Sequence, residues 1–220
     1  MVSYEHSIKN IYLGDEGRRE PWTNTVCYFP FKEDLNDVTW NITLTQNNCT
    51  ISDGCLNING TNSYLQPNRT IGGSIITISL WYYYREYNTT GEWSTLFAKQ
   101  WGTYHHLLIN WKNNTPWSIG FYNSGWYSSW TVKTPWQWLY LTVTKNGTNE
   151  KIYCNWDKIM DSNSSFDNNT QPIGMFANYN TNQNQWPMGK YSELIVENWN
   201  RDDTYILDYY NKTKKNYQNI

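Results

Sequence analysis

The run Ile75-Ile-Thr-Ile-Ser-Leu-Trp-Tyr-Tyr-Tyr84 constrains this chain more than any other stretch. Its period-2 alternation puts Ile76, Ile78 and Leu80 on one face and Ile75, Thr77, Ser79 and Trp81 on the other, so it reads as a central β-strand. Shorter runs of the same kind recur from Thr23 onward, over 24–31, 39–45, 55–60, 93–99, 104–111, 117–122, 138–144, 151–155, 173–177 and 190–196. Clusters of Asn, Gly, Ser and Pro separate them, which is the spacing of a β-sandwich. Between two of the runs, Asn146-Gly147 supplies the positive φ of a tight primed turn, so 138–155 reads as a hairpin.

Composition points the same way. The chain holds 14 Trp, 19 Tyr and 6 Phe, so its apolar surface is carried by flat rings rather than by Leu, Ala and Met. Charged residues make up only 16%, and polarity comes from Asn, Ser and Thr, which favour strands, turns and caps over helix interiors. A helical bundle is disfavoured and an all-β class expected. Only 201–215 departs: acids at Asp202 and Asp203, lysines at its end, and Ile206, Tyr209, Tyr210 and Thr213 at three- and four-residue spacing predict one short C-terminal helix.

The 220 residues suit one large domain, 23–220, preceded by an arm, 1–22. The arm carries the charge cluster Asp15-Glu-Gly-Arg-Arg-Glu20 and too little apolar area to offset the entropy of ordering it, so a partner is expected to order it. A net charge of -2, with no basic cluster longer than Lys214-Lys215, excludes the electrostatic footprint of a nucleic-acid binder. The first residues show no apolar leader segment, and no run of about 18 apolar residues follows, so neither a secretory leader nor a membrane span is expected. Cys27, Cys49, Cys55 and Cys154 lack zinc-ligand spacing and are expected as free buried thiols. The several Asn-x-Ser/Thr sequons follow from the abundance of Asn, Ser and Thr and are not read as glycosylation sites.

The succession Tyr28-Phe-Pro-Phe31 with Asp34-Leu-Asn-Asp37, then Leu56-Asn-Ile-Asn-Gly60 with Ser63-Tyr-Leu65, then Ile76 to Trp81, resembles the opening half of the concanavalin-A-like lectin/glucanase (laminin-G-like) superfamily. Thr95 to Lys99, Leu107-Leu-Ile109, Trp138 to Thr144, Ile152 to Asn155 and Gly189 to Asn198 resemble its later strands. The resemblance covers about residues 24 to 217 and implies a two-sheet antiparallel jelly-roll sandwich with one short C-terminal helix. The lead-in Ile8-Lys-Asn-Ile-Tyr-Leu-Gly14 with Pro21 to Thr25, and the ending Tyr209 to Lys214, are similar to domains of bacteriophage virion proteins. That resemblance implies a head fibre, capsid decoration or tail component, assembled in the bacterial host cytoplasm and carried on the virion. Its arm would dock on other virion proteins through Ile8, Ile11, Tyr12, Leu13, Arg18 and Arg19, and the protein would be a homo-oligomer.

Glucanases of this superfamily place two carboxylates on one strand face, about 5 to 5.5 Å apart, in a Glu-x-Asp-x-Glu run. This chain has no such run, and Glu33-Asp34, Asp202-Asp203 and Glu193 with Glu197 fall in a turn, a helix cap and apart on one strand, so no enzyme is expected. His105 and His106 are adjacent on a strand and point to opposite faces. Relatives often hold calcium with loop oxygens, which makes Asp34 and Asp37 candidate ligands, with Asn36, Asp53 and Asp157 also offering hard oxygens. A turn cap with Asx-type bonds to its own backbone is the preferred reading of Asp34 to Asp37, and no other cofactor is expected.

Sugar-binding sandwiches stack the apolar face of a pyranose on exposed rings. Trp101, Trp117, Trp126, Tyr127 and Trp130, in or beside loops of the central meander, are the candidate glycan-binding residues, whereas Trp81, Trp93 and Trp138 are assigned to packing. The expectation is a virion protein that displays a jelly roll for adhesion to glycans. A stand-alone calcium-dependent lectin or inactive glycoside-hydrolase-like domain, and a purely structural spacer, are the alternatives.

Overall fold

The computed structural model describes residues 24–59, 63–69, 71–84, 93–99, 105–110, 118–122, 126–128, 136–162, 173–176 and 188–217. Its strands are β1 (Thr25–Phe29), β2 (Leu44–Asn47), β3 (Cys49–Ser52), β4 (Cys55–Asn59), β5 (Tyr64–Pro67), β6 (Ile75–Tyr84), β7 (Trp93–Lys99) and β8 (His105–Asn110). They continue as β9 (Ser118–Tyr122), β10 (Trp126–Ser128), β11 (Gln137–Asn146), β12 (Asn149–Cys154), β13 (Asp157–Ser162), β14 (Ile173–Phe176) and β15 (Met188–Glu197), followed by helix α1 (Asp203–Thr213) and a 3-10 turn (Lys214–Asn216).

Every pairing is antiparallel, in two sheets. One holds eight strands in the order β13-β12-β11-β6-β15-β4-β3, with β1 also on β15; the other holds seven in the order β10-β9-β8-β7-β14-β5-β2. The chain is an all-β sandwich with one short C-terminal helix. As the alternation of its residues requires, β6 is central, flanked over its length by β11 and β15.

The core lies between the sheets. Ile76, Ile78 and Leu80 of β6, Leu139, Leu141 and Val143 of β11, and Leu194 and Val196 of β15 meet Leu44, Leu65, Leu96, Phe97 and Ile119 of the other sheet. At about 25 cal/mol per Å² of apolar area removed from water, this layer is the main driving force of the fold. All four cysteines are free and buried.

The opposite face of the eight-stranded sheet is covered as well. Asp202 caps α1 by accepting a hydrogen bond from the Tyr205 amide at 2.8 Å, and Asp203 and Lys212 sit at the ends that suit the helix dipole. The helix buries Ile206, Tyr209 and Tyr210 against Trp81, Tyr140 and Tyr153, the rings that alternate with the aliphatic residues of β6, β11 and β12.

Two local readings are corrected. Residues 39–45 do not form one strand: Thr39 to Asn41 make a tight turn and β2 starts at Leu44, because a side chain four or five residues long in reach, that of Asp37, captures the backbone first. The strand expected over 55–60 is present as β4 (Cys55–Asn59), the second arm of a hairpin with β3 turned by Asp53 (φ 54°) and Gly54 (φ 67°). The segment 126–128, read as loop, is strand β10, with Trp126 opposite Tyr122 and Tyr127 opposite Phe121; aromatic residues favour the pleated surface.

Candidate functional site

Of the residues expected to bind glycan, Trp126 and Tyr127 lie on β10 at the edge of the seven-stranded sheet. Trp101, Trp117 and Trp130 fall outside the described residues, as do the arm and its Ile8, Ile11, Tyr12, Leu13, Arg18 and Arg19. Among the described residues, four other tryptophans are exposed. Trp40 is 77% exposed, and Trp136, Trp156 and Trp199 are each more than half exposed, while Trp81 is buried.

Trp40 is the most conspicuous of the four, and the acidic turn explains its position. Asp37 is buried, yet its carboxylate accepts five hydrogen bonds. Oδ1 receives the amides of Tyr28 (2.8 Å) and Thr39 (2.9 Å), and Oδ2 receives the Thr39 hydroxyl (2.7 Å) and the amides of Asn41 (3.0 Å) and Ile42 (2.9 Å). These donors pull the chain round so tightly that Trp40 takes φ 60°, a left-handed conformation costing a non-glycine residue about 1–3 kcal/mol. The ring is thereby held out from the surface, flanked along the chain by Thr39 and Asn41, a neutral hydroxyl and amide that bond each other at 3.0 Å. A carboxylate offers about four lone-pair directions, so Asp37 has none left for a cation. Asp34 is exposed and engages the backbone and side-chain amide of Asn36. Among the described residues, no group of three or more His, Cys, Asp or Glu converges as a metal site.

Trp199 lies at the same end of the eight-stranded sheet. Its carbonyl accepts from the Thr77 hydroxyl (2.6 Å), which in turn accepts from the Arg201 amide (3.0 Å), and the Asn198 amide donates to the Asn24 carbonyl (2.8 Å). Arg201 forks onto the buried Glu197 and stacks over the Tyr205 ring at 4.1 Å. Thr39 and Asn41, on either side of Trp40, both reach the Val26 carbonyl at 3.2 Å. Both tryptophan turns are therefore tied to the first residues of β1.

The nucleophile and acid–base chemistry of the described residues is quiet. Burial raises the thiols of Cys27, Cys49 and Cys55, that of Cys49 to about 11, so they stay protonated near neutral pH. Glu197 is committed to Arg201, and Glu193 is buried beneath α1. What the exposed surface offers is aromatic rings on rigid turns beside neutral hydrogen-bonding groups. Sequence reading passed over these four, although each adjoins Asn or Pro at a strand end: Trp40-Asn41, Pro135-Trp136, Asn155-Trp156 and Asn198-Trp199.

No protein-family model and no curated protein matches the sequence. Solved structures resemble the fold. Trypanosoma rangeli sialidase in complex with sialic acid superposes with a TM-score of 0.74 at 12% identity over 92% of this chain and 35% of that one. Domain 4 of an extracellular arabinanase from Geobacillus stearothermophilus, in complex with arabinotriose, gives 0.65 at 20% identity over 84% of this chain and 97% of that one. The binding domain of a paraclostridial mosquitocidal protein gives 0.63 at 16% identity over 86% and 52%. The chain thus spans about a third of the length of the sialidase, and the likeness is one of fold, consistent with a concanavalin-A-like sandwich. The expectation of a non-enzyme is corrected by these neighbours: sialidase structures share the architecture over nine-tenths of the chain, so the fold is a glycoside-hydrolase-like one and does not set this protein apart from such enzymes.

Proposed function

We propose that this protein is a glycan-binding β-sandwich whose platform is the end of the eight-stranded sheet that carries Trp40 and Trp199. The observation that supports this reading is the exposure of Trp40 on a strained turn held by five hydrogen bonds to one buried carboxylate. An indole left in water on a left-handed residue contributes nothing to folding; it suits a flat, weakly polar surface such as the C–H face of a sugar ring. The neighbouring amides and hydroxyls match sugar hydroxyls. The arabinanase domain seen with arabinotriose is a fold neighbour that makes the reading concrete.

A place on a bacteriophage particle, with the arm docked on other virion proteins and the sandwich turned outward, is the finer part of the proposal. It rests on the sequence resemblance of residues 8–25 and 209–214. The test is titration of the full chain with a panel containing arabinotriose, xylotriose, cellotriose and sialyllactose. Binding that weakens about tenfold or more in Trp40→Ala, with unchanged thermal stability, is the expected result, equivalent to about 1.4 kcal/mol. Binding indifferent to both Trp40→Ala and Trp199→Ala contradicts it.

A further inference from the structure

We propose that the opposite end of the same sheet carries a second sugar-binding surface, built on Trp136 and Trp156, which makes a single chain bivalent. The inference rests on the reading of exposed tryptophans as sugar platforms, and it adds a site and a mode of action. Strand register places the two ends. Trp136 directly precedes Gln137, which pairs with Tyr84 at the far end of β6, and Trp156 follows Asn155, which bonds Tyr140, three residues along β11 from that end. Trp199 instead sits over Thr77, which pairs with Thr144. From Trp136 to the level of Thr144 is about 25–30 Å at about 3.3 Å per residue.

The second end is constructed like the first. Trp136 has φ 67°, and Trp156 follows Asn155 at φ 61°. Asn155 is clamped to β11 by two bonds: its amide donates to the Tyr140 carbonyl at 2.6 Å, and its Oδ1 accepts from the Tyr140 amide at 3.1 Å. As with Asp37 and Trp40, an Asx residue locked to a neighbouring strand holds an indole outward. Lys158, the cation nearest along the chain, is already paired with Asp161 (3.0 Å) and Asp203 (3.7 Å), so it is not poised for an anionic ligand. The occupant that fits is a neutral sugar ring. Two sites separated along the sheet cannot both serve one trisaccharide, but they can join two polysaccharide chains or two stretches of one, where the second engagement is intramolecular and raises avidity.

The experiment is calorimetric titration of the full chain with the same four oligosaccharides, read as stoichiometry per chain, alongside turbidity of arabinan, xylan and a soluble cellulose derivative mixed with protein. Stoichiometry per chain is independent of self-association. The expected result is two sites in the wild type and one in Trp136→Ala/Trp156→Ala, which also stops cross-linking of the polymer. Should the double variant be unstable, Trp156→Ala alone, at a ring already more than half exposed, is expected to lose the same site. An unchanged stoichiometry in these variants overturns the proposal. A single wild-type site overturns bivalence: if the Trp136→Ala/Trp156→Ala protein alone loses it, the Trp40 platform falls and the second surface stands, and if the Trp40→Ala/Trp199→Ala protein alone loses it, the second surface falls and the Trp40 platform stands. No binding to any member of the panel overturns both.

Discussion

Along β6, the side chains that face the seven-stranded sheet and those that face α1 are buried to the same depth by different chemistry. Inward, Ile76, Ile78 and Leu80 join a layer dominated by aliphatic side chains that ask for no hydrogen bonds. Outward, the alternating Thr77, Ser79 and Trp81 begin a layer of rings in which nearly every polar atom is matched. The Trp81 indole donates to Thr213 Oγ1 (3.2 Å), Tyr153 to Asp203 (2.6 Å), Tyr209 to Glu193 (3.1 Å) and Tyr217 to Ser192 Oγ (2.9 Å). Tyr191, a ring on the inner side, shows what the difference means: it packs edge-on to Tyr82 at 5.3 Å, and its hydroxyl is buried without a partner. The inner layer supplies unspecific driving force, and the outer layer fixes where the helix must dock. Among the described residues, these rings are spent on structure, and the exposed tryptophans of the turns are left for recognition.

The harshest way to break the comparison is to remove the sheet that separates the two layers. A Cβ on Gly189 would lie 2.2 Å from the Tyr83 carbonyl and 3.0 Å from the Tyr82 ring, so Gly189→Ala must push β15 off β6. We expect a loss on the order of 3–5 kcal/mol in urea unfolding, or no folded protein; a stable variant contradicts the β15–β6 packing. Next come the layers singly. Leu80→Ala should cost about 2–5 kcal/mol and Trp81→Ala about 3–5, and a cost below about 1 kcal/mol for Trp81→Ala would show that α1 contributes no real layer.

A smaller effect sharpens the chemical contrast. β15 bulges between Ser192 and Ile195, putting Glu193 at φ 50° with its carboxylate under α1. Burial raises its pKa above the usual 4.5, opposed by Tyr217, Lys32 and Tyr209, and Tyr28 on β1 faces Tyr209. The folded state then holds a proton that the unfolded chain releases, so stability is fullest below about 4.5 and falls as pH rises through the folded value. Glu193→Gln should gain on the wild type over that window, measured as unfolding midpoints against pH; parallel curves contradict the assignment. Smallest of all, Tyr217→Phe should cost about 1 kcal/mol, whereas Tyr191→Phe, which removes only an unpartnered hydroxyl, should be neutral or stabilising. Equal losses would erase the distinction between the layers.

Legibility followed the range of the interaction. The central strand, the Asn146-Gly147 hairpin and the helix with its Ile206, Tyr209 and Tyr210 stripe were readable, because period and turn chemistry are local. Asp53-Gly54 carried the same hairpin signal as Asn146-Gly147 and could have been read. The Trp40 turn could not be told from a strand by pattern: Ile42 and Leu44 continue an alternation, and the decisive donor to Asp37, the Tyr28 amide, comes from nine residues earlier. The left-handed Glu193 is further still from view, since it arises where β15 must pair with β6 and β1 at once. The exposed tryptophans were obscured by their number; the buried ones share their composition and differ only in tertiary surroundings.

The central claim, that turn tryptophans recognise and layer aromatics support, is tested most directly by titrating the oligosaccharide panel into Trp40→Ala and Tyr217→Phe side by side, with unfolding free energies for both. The account predicts that Trp40→Ala keeps its stability to within about 0.5 kcal/mol and loses one of the two binding sites, while Tyr217→Phe loses about 1 kcal/mol and binds as the wild type does. Unchanged stoichiometry in Trp40→Ala together with binding lost in Tyr217→Phe would contradict it.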